Sequence, residues 1–460
     1  MSNQNKLNSK ARIIYINNYK ILDINLDLER NLSSFENRRD IYTTSFPVIL
    51  KSSGEVWELA SLYFNSYLIK YNDIVGDNLK SIAVDLLHYY RFIEDRGLDE
   101  LYFPKLLNKR ITYLFRRYLI EQIEKGDMSL NTAKQRINRI VNFYEDCLEN
   151  GYLTSSSFDN QPYQLIKKII TINGKLGLEF KKEIISSSLA IRKPYSIKDS
   201  TAIYDGGKLR PLITEEQEIL SKYLDKYATR SLQLMCSIAF HSGARLQTIC
   251  TIKVKNIKDL LVNNDITSNN TYILRVGAGS GIDSKGDIPY FLELPTWLVE
   301  RIYEYILSDT WKERSKKSYY KSLDENYIFL TGKGAPFYTS KSNINDIKNI
   351  VLRDSKEIDI KIYKGHAVRK NFDDIVKKIQ LDFPWFGNIR FHDLRATFGM
   401  NIITTLQARG LNNQKCVDYL KKRMGHNNIQ TTWLYLDHKS ILARNIETQN
   451  IFENRLFKFL

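Results

Sequence analysis

Between Phe391 and Leu436 the chain carries His392, Arg395, His426 and Tyr435: two imidazoles, a guanidinium and a phenol on segments whose spacing reads as helical. Asp393 and Asp437 are the nearest carboxylates, and no cysteine stands beside these residues. The set is poorly equipped for a metal ion and well equipped for a phosphate, because guanidinium forks and imidazole N–H groups donate to anionic oxygens. A lone His-x-x-Arg would be an ordinary packing feature. Four such residues in order, with Met424-Gly425-His426 set nine residues before Tyr435 and Thr431-Thr432 between, are hard to assign to packing alone. The remainder of the chain has to be arranged around this stretch.

With 460 residues and 43% hydrophobic content the chain can build two or three domains, each with its own core. Lys and Arg number 68 against 52 Asp and Glu, a net charge of +16 that suits a polyanionic partner such as nucleic acid. Cys147, Cys236, Cys250 and Cys416 are scattered without a C-x-x-C or a Cys/His cluster, which argues against a zinc site and against a disulfide framework. No apolar run approaches the roughly 18 residues of a membrane span, and the N-terminus lacks the apolar core of a signal peptide. The expectation is a cytoplasmic protein with no metal, no cofactor and no membrane partner.

Residues 1–52 read as an N-terminal extension in which ARIIYINNYKILDI and IYTTSFPVIL are strand-like. From 53 to 155 the pattern turns helical. WELASLYFNSYLIKY, SIAVDLLHYYRFIEDRG, KRITYLFRRYLIEQIEKG and NTAKQRINRIVNFYEDCLENG each repeat apolar residues at three and four residue spacing and end at or near a Gly, which predicts a four-helix bundle. Lys109 and Arg110 recur seven residues on as Arg116 and Arg117, nearly on one helical face, and Lys134, Arg136 and Arg139 precede the last apolar run. Such a face is either simply solvated or a phosphate-contacting surface.

Residues 156–209 read as a polar linker with a short helical stretch near Gln164 to Leu176. A second domain, 210–445, opens at Arg210-Pro211, with Thr214 and Gln217 as a capping box for the helix that follows. SLQLMCSIAFHSG predicts a buried helix ended by Gly243, and Arg245 at the mouth of the next helix needs an anionic partner, structural or bound. TYILRV and IPYFLEL alternate like a hairpin around GAGSGIDSKGD, which places Lys285 in the turn. YIFLT reads as a strand. Residues 446–460 close the chain as an amphipathic tail helix.

The words HSGARLQTI, DSKGDIPYFLELP, FHDLRATFG and RMGHNNIQTTWLYLDH, with their order and spacing, resemble the tyrosine recombinase (phage integrase) family. The resemblance spans roughly residues 55 to 445 and is specific in its final third. It implies a mainly α fold with a small antiparallel sheet: a helical core-binding domain plus an α+β catalytic domain, forming a C-shaped clamp on DNA. It implies site-specific recombination of double-stranded DNA at paired sites by a homo-oligomer, a tetramer on synapsed DNA, for integration or excision of a mobile element. Residues 1–52 would be an accessory or arm-binding region, the basic residues of 53–155 would contact phosphates, and the tail would dock on a neighbouring protomer.

The resemblance also assigns roles. Tyr435 would attack phosphorus and form a 3′-phosphotyrosine, Arg245 and Arg395 would hold the non-bridging oxygens with His426 as a third donor, His392 would take the tyrosine proton, and Lys285 would protonate the leaving 5′ oxygen. Energy stored in the phosphotyrosine makes ATP unnecessary. One departure stands out: family members usually carry an acidic residue three positions after the first arginine, and this chain has Thr248. Two alternatives remain at this point, a type IB topoisomerase and a non-cleaving DNA-binding relative.

Overall fold

A computed structural model describes residues 8–27, 32–72, 76–154, 159–173, 179–191, 202–346 and 361–456. They form two compact units, the first within 8–191 and the second made of 202–346 and 361–456.

In the first unit α1 (Glu58–Tyr71), α2 (Asp77–Asp95), α3 (Ile111–Glu124) and α4 (Leu130–Glu149) form where the apolar spacing predicts them. Their inward faces share one core in which Phe64, Leu86, Tyr89, Phe115, Ile140 and Tyr144 are fully buried. Burying side chains of this size contributes about 1.5–3 kcal/mol each. The two phenols are satisfied: Tyr89 and Tyr144 share a 2.9 Å hydrogen bond, and Tyr144 also donates to the Glu100 carbonyl at 2.6 Å.

The strand-like N-terminal text forms a long antiparallel hairpin, β1 (Arg12–Asp27) and β2 (Leu32–Leu50), with Arg12 opposite Leu50. Its Ile41, Phe46, Val48 and Ile49 are buried in the same core as Trp57, so this segment is built into the first unit. The stretch expected to be helical near Gln164–Leu176 is corrected to a second hairpin, β3 (Leu165–Asn173) with β4 (Glu179–Ser187). Its Ile-Lys-Lys-Ile-Ile-Thr-Ile text is β-branched at almost every apolar position, and such residues fit a pleated strand better than a helix.

The second unit begins with a minimal hairpin, β5 (Ile203–Tyr204) and β6 (Lys208–Leu209), turning through Asp205-Gly206-Gly207. Helix α5 (Thr214–Tyr227) follows, capped one residue earlier than the sequence suggests: the Glu216 carboxylate accepts from the Ile213 N–H at 3.1 Å and pairs with Arg210. The apolar α6 (Arg230–Ser242) is buried along most of its circumference as expected, with the narrow stripe of Arg230, Gln233, Ser237 and His241 reaching towards solvent. Then come α7 (Leu246–Cys250), α8 (Val254–Asn263), the hairpin β7 (Thr271–Val276) with β8 (Tyr290–Pro295), α9 (Thr296–Leu307) and α10 (Asp309–Lys316). Ile328, Phe329 and Leu330 are fully buried, but their segment is held by single bridges, Lys253 to Tyr327 and Leu330 to Pro336, instead of forming the expected strand.

Helices α11 (His366–Asp382), α12 (Asp393–Ala408), α13 (Asn413–Met424) and α14 (Ile429–Leu456) complete the unit. The expected tail is continuous, as far as Leu456, with the helix that carries Tyr435; Ile451 and Phe452 near its end are half exposed or more. The four cysteines are buried free thiols. Among the described residues no helix is long and apolar enough to cross a membrane.

Candidate active site

The buried Asp393 at the start of α12 fixes the approach to the site, accepting from the backbone N–H of Arg390 at 2.7 Å and of Arg210 at 3.0 Å. His392 sits at the helix N-cap and Arg395 one turn in, so the three-residue spacing sets both on one side. The Arg395 side chain is 1% exposed. Its guanidinium donates to the Gly243 carbonyl at 2.5 Å and the Met424 carbonyl at 2.9 Å. Both carbonyls lie at the C-terminal ends of helices, α6 and α13, where orphan acceptors and the negative end of the helix dipole favour a cation.

Tyr435 reaches the same place from α14 and is fully buried. Its ring lies against Gly399 of α12, where any Cβ would fall 2.4 Å from a ring carbon. Only a residue without a side chain allows this approach. Gly425 ends α13 in the left-handed region (φ 61°) and turns the chain so that His426 points inward.

All these groups meet on one carboxylate. Asp205, at the tip of the β5–β6 hairpin and 2% exposed, accepts through Oδ1 from Arg245 at 3.2 Å. Through Oδ2 it accepts from Arg395 Nε at 2.8 Å, His426 Nε2 at 3.0 Å and the Tyr435 hydroxyl at 3.1 Å. His426 is set for donation: the Thr432 hydroxyl lies 2.9 Å from its Nδ1, so the neutral ring carries its proton on Nε2, facing the carboxylate. His392 Nε2 donates to the Asp205 backbone carbonyl at 3.3 Å. Lys285, exposed in the turn before β8, brings its amine to the same tip: a Cβ built on Gly206 would lie 3.4 Å from Lys285 Nζ and 3.9 Å from His392 Nε2. The Arg245 Nε is buried with no hydrogen-bond partner among the described residues, which leaves one donor in reserve.

The electrostatics follow from this crowding. Burial alone would raise Asp205, but the His426 hydrogen bond and the Arg395 charge hold its carboxyl far below the usual range. Burial, then the adjoining Arg395 charge, lowers His392 to about 4, so it is neutral at pH 7. Burial also lowers His426. Burial, then the Asp205 charge, pushes the Tyr435 phenol well above its ordinary value. Beside the site a cleft of about 460 Å³ is lined by Gly206, Gly207, Arg245, Arg369, Arg390 and His392.

Tyr435, Arg245, Arg395, His426, His392 and Lys285 are therefore all brought to one locus. The seven basic residues of the first unit fare differently. Lys109 and Arg117 are exposed, while Lys134 and Arg116 are half-buried, Arg116 donating to the Leu189 carbonyl. Arg136 pairs with the buried Asp85, and Arg139 lines a small cleft with Glu145, Asp146 and Glu149. Arg110 is 6% exposed and donates to three backbone carbonyls, so it braces a loop instead of facing solvent.

Sequence reasoning missed Asp205, Thr432 and Gly399. Asp-Gly-Gly between Ile203 and Leu209 is a tight-turn signal that could have marked a hairpin, but nothing in the text ties it to residues 190 or 230 positions on. Thr248, buried on α7, leaves its hydroxyl without a hydrogen-bond partner among the described residues, and the carboxylate that Arg245 needs comes from Asp205.

Fold and site together define a mainly helical protein with small two-stranded antiparallel sheets and a buried anion-binding cluster that includes a phenol. No protein-family model matches the chain, and no curated protein does. Among solved structures it is similar to the Tn1549 transposon integrase in complex with transposon right end DNA, at 16% identity and a TM-score of 0.43, over 85% of this chain and 98% of that one. It is also similar to a lambda integrase dimer bound to a core site, at 13% identity and a TM-score of 0.42, over 81% of this chain and 94% of that one. A lambda integrase tetramer bound to a Holliday junction is similar at 10% identity and a TM-score of 0.34, over 91% and 94% of the two chains.

Proposed function

We propose that this chain is a tyrosine recombinase that cuts and rejoins DNA strands through Tyr435, acting as an oligomer at paired sites to integrate or excise a mobile element. One observation carries the reading: Arg245, Arg395, His426 and the Tyr435 hydroxyl all lie within hydrogen-bond distance of a single carboxylate. A carboxylate and a phosphodiester are both anions with oxygens that accept from guanidinium forks. Donors arranged for the one are arranged for the other, and the phenol oxygen then stands beside phosphorus.

In that reaction the phenol oxygen forms a bond to phosphorus as the bond from phosphorus to the 5′ oxygen breaks. The phenol proton goes to His392, which is neutral at pH 7 and so able to accept it. Lys285, the exposed cation at the loop tip, protonates the departing 5′ oxygen. Arg245, Arg395 and His426 stabilise the charge on the non-bridging oxygens, a preorganised role like that of an oxyanion hole. Rejoining reverses each step, with a 5′ hydroxyl from the other site as nucleophile. Contacts to phosphates flanking the cut would come from exposed cations such as Lys109 and Arg117 and from Arg369 and Arg390 beside the cleft.

A nicked suicide substrate, analysed on a denaturing gel, tests the assignment. Wild-type protein is expected to form a covalent adduct, and Tyr435→Phe to bind the DNA with unchanged affinity and form none. Wild-type protein that binds such DNA without forming an adduct, or an adduct that persists in Tyr435→Phe, would reject the proposal.

A further inference from the structure

The donors that the proposed reaction needs are already occupied. Asp205 engages both arginines, His426 and the nucleophile through its side chain, and His392 through its backbone. We propose that Asp205 is a built-in occupant of the phosphate position, an autoinhibitory plug that must withdraw before a DNA phosphate can enter. The inference rests on the recombinase reading for the identity of the phosphate, though not for the existence of the anion site.

Three features support a plug over a permanent brace. The first is exclusion: two anions cannot share the same four donors, so any phosphate that reaches Arg245, Arg395, His426 and Tyr435 together must displace the carboxylate. The second is charge balance. The buried Arg395 and the partly buried Arg245 with no counter-anion would be costly, so a resident carboxylate stabilises the DNA-free protein, and exchanging it for a phosphodiester monoanion leaves the net charge of the site unchanged. The third is placement. The hairpin stem is anchored, with Ile203 and Leu209 buried in the core that also holds Ala396, Met424 and Tyr435, whereas Asp205 sits at a tip completed by Gly206 (φ 72°) and Gly207. The tip can therefore swing without unfolding the stem, and it borders the cleft lined by Arg245, Arg369 and Arg390, through which a phosphate backbone would arrive.

The plug also restrains the chemistry. The Asp205 charge beside Tyr435 opposes loss of the phenol proton, and the ring nitrogen of His392 that faces the tip is committed to a carbonyl. Withdrawal would release both at once.

The probe is inorganic phosphate, titrated calorimetrically into full-length wild-type protein and Asp205→Asn, with suicide-substrate cleavage measured in parallel. Removing the competing charge is expected to tighten phosphate binding at least about tenfold, because apparent affinity scales with the fraction of molecules whose site is open. Cleavage is expected to speed up as well. Tighter phosphate binding with no cleavage by either protein would uphold the plug and sink the recombinase reading. Cleavage by both proteins with no gain in phosphate affinity would sink the plug and leave that reading standing. Loss of cleavage without a gain in phosphate affinity would overturn the plug and make Asp205 a positioning residue for the arginines. Wild-type protein supplies a second measurement should the variant misfold. Hydrogen exchange at Tyr204 to Lys208 is expected to accelerate when suicide DNA or phosphate binds, and a tip that stays protected in the covalent adduct would refute the inference.

Discussion

Each unit of the chain buries an arginine, and the two are completed by opposite kinds of partner. Arg110, in the first unit, is closed off by the backbone carbonyls of Pro104, Gln161 and Lys105 at 2.9, 2.7 and 3.4 Å. Arg395, in the second, has two helix-terminal carbonyls and, on its remaining edge, the Asp205 carboxylate. A guanidinium whose partners are all neutral backbone carbonyls holds no anion that it could exchange. One completed by a carboxylate on a loop tip can trade that carboxylate for another anion. Burial therefore does not separate a structural arginine from a functional one, and the chemical kind of its last partner does.

Substituting both arginines tests this contrast with the largest effects. Arg395→Ala, and Arg245→Ala beside it, are expected to slow suicide-substrate cleavage by about 10²–10³, the usual cost of removing a preorganised donor. Arg110→Ala is expected to destabilise the protein by about 1–3 kcal/mol through unsatisfied carbonyls while leaving the cleavage rate of folded molecules unchanged. Chemical denaturation and single-turnover rates on the same preparations give both numbers. Equal effects of Arg110→Ala and Arg395→Ala on the rate would erase the distinction.

Lys285 sharpens it, because this cation is exposed and serves a leaving group instead of a resident anion. Lys285→Ala is expected to lose about 10² in rate on ordinary DNA, in the range of general-acid catalysis. On a substrate with sulfur at the bridging 5′ position it should recover to near the wild-type rate, since a thiolate leaves without a proton. Arg245→Ala should recover much less. Equal rescue of both, or of neither, would break the division of roles.

A smaller effect is expected from Gly399→Ala. Its methyl would overlap the Tyr435 ring and push the phenol off line, slowing cleavage by about tenfold or more, as small misplacements of a reacting group do. Normal cleavage by this variant would mean that Tyr435 does not react from its observed seat.

Acid affects both units alike and has the mildest consequence. His88 in the first unit and His392 in the second are each lowered to about 4, chiefly by burial. Between about pH 6.5 and 4 the unfolded chain then binds more protons than the folded one, so stability is full above that window and falls as pH drops through it. A melting temperature several degrees lower at pH 5 than at pH 7 is expected, with the loss reduced in His88→Gln. A flat profile would contradict the burial argument.

Much of this was legible because it is local. The apolar spacing of α1 to α4 is a property of each segment read alone, and His392 with Arg395, or His426 with Tyr435, lie within a turn or a few turns of one another along the chain. The β3–β4 hairpin was misread because Leu165, Ile166, Ile169 and Ile170 fall at spacings that also suit a helix, and Leu165 and Ile169, exposed at 65% and 71%, have no core to reveal the true period. Asp205 was invisible for a different reason. Its partners stand 40, 190, 221 and 230 residues away, and a polar Asp-Gly-Gly turn looks the same whether it is solvated or buried against two arginines. Arg110 was misjudged on the same ground, since a basic residue on a helix face does not announce that its head group turns inward.

Mapping the covalent adduct in wild-type protein tests the central claim most directly. The chain has 29 tyrosines, so the experiment can fail in many ways. Suicide-substrate DNA is trapped on the protein and digested to a residual nucleotide, and the modified peptide is sequenced by mass spectrometry. The account predicts a single phosphonucleotide on Tyr435, attached through the 3′ phosphate. Modification of any other residue, attachment through a 5′ phosphate, or cleavage that leaves no adduct would contradict it.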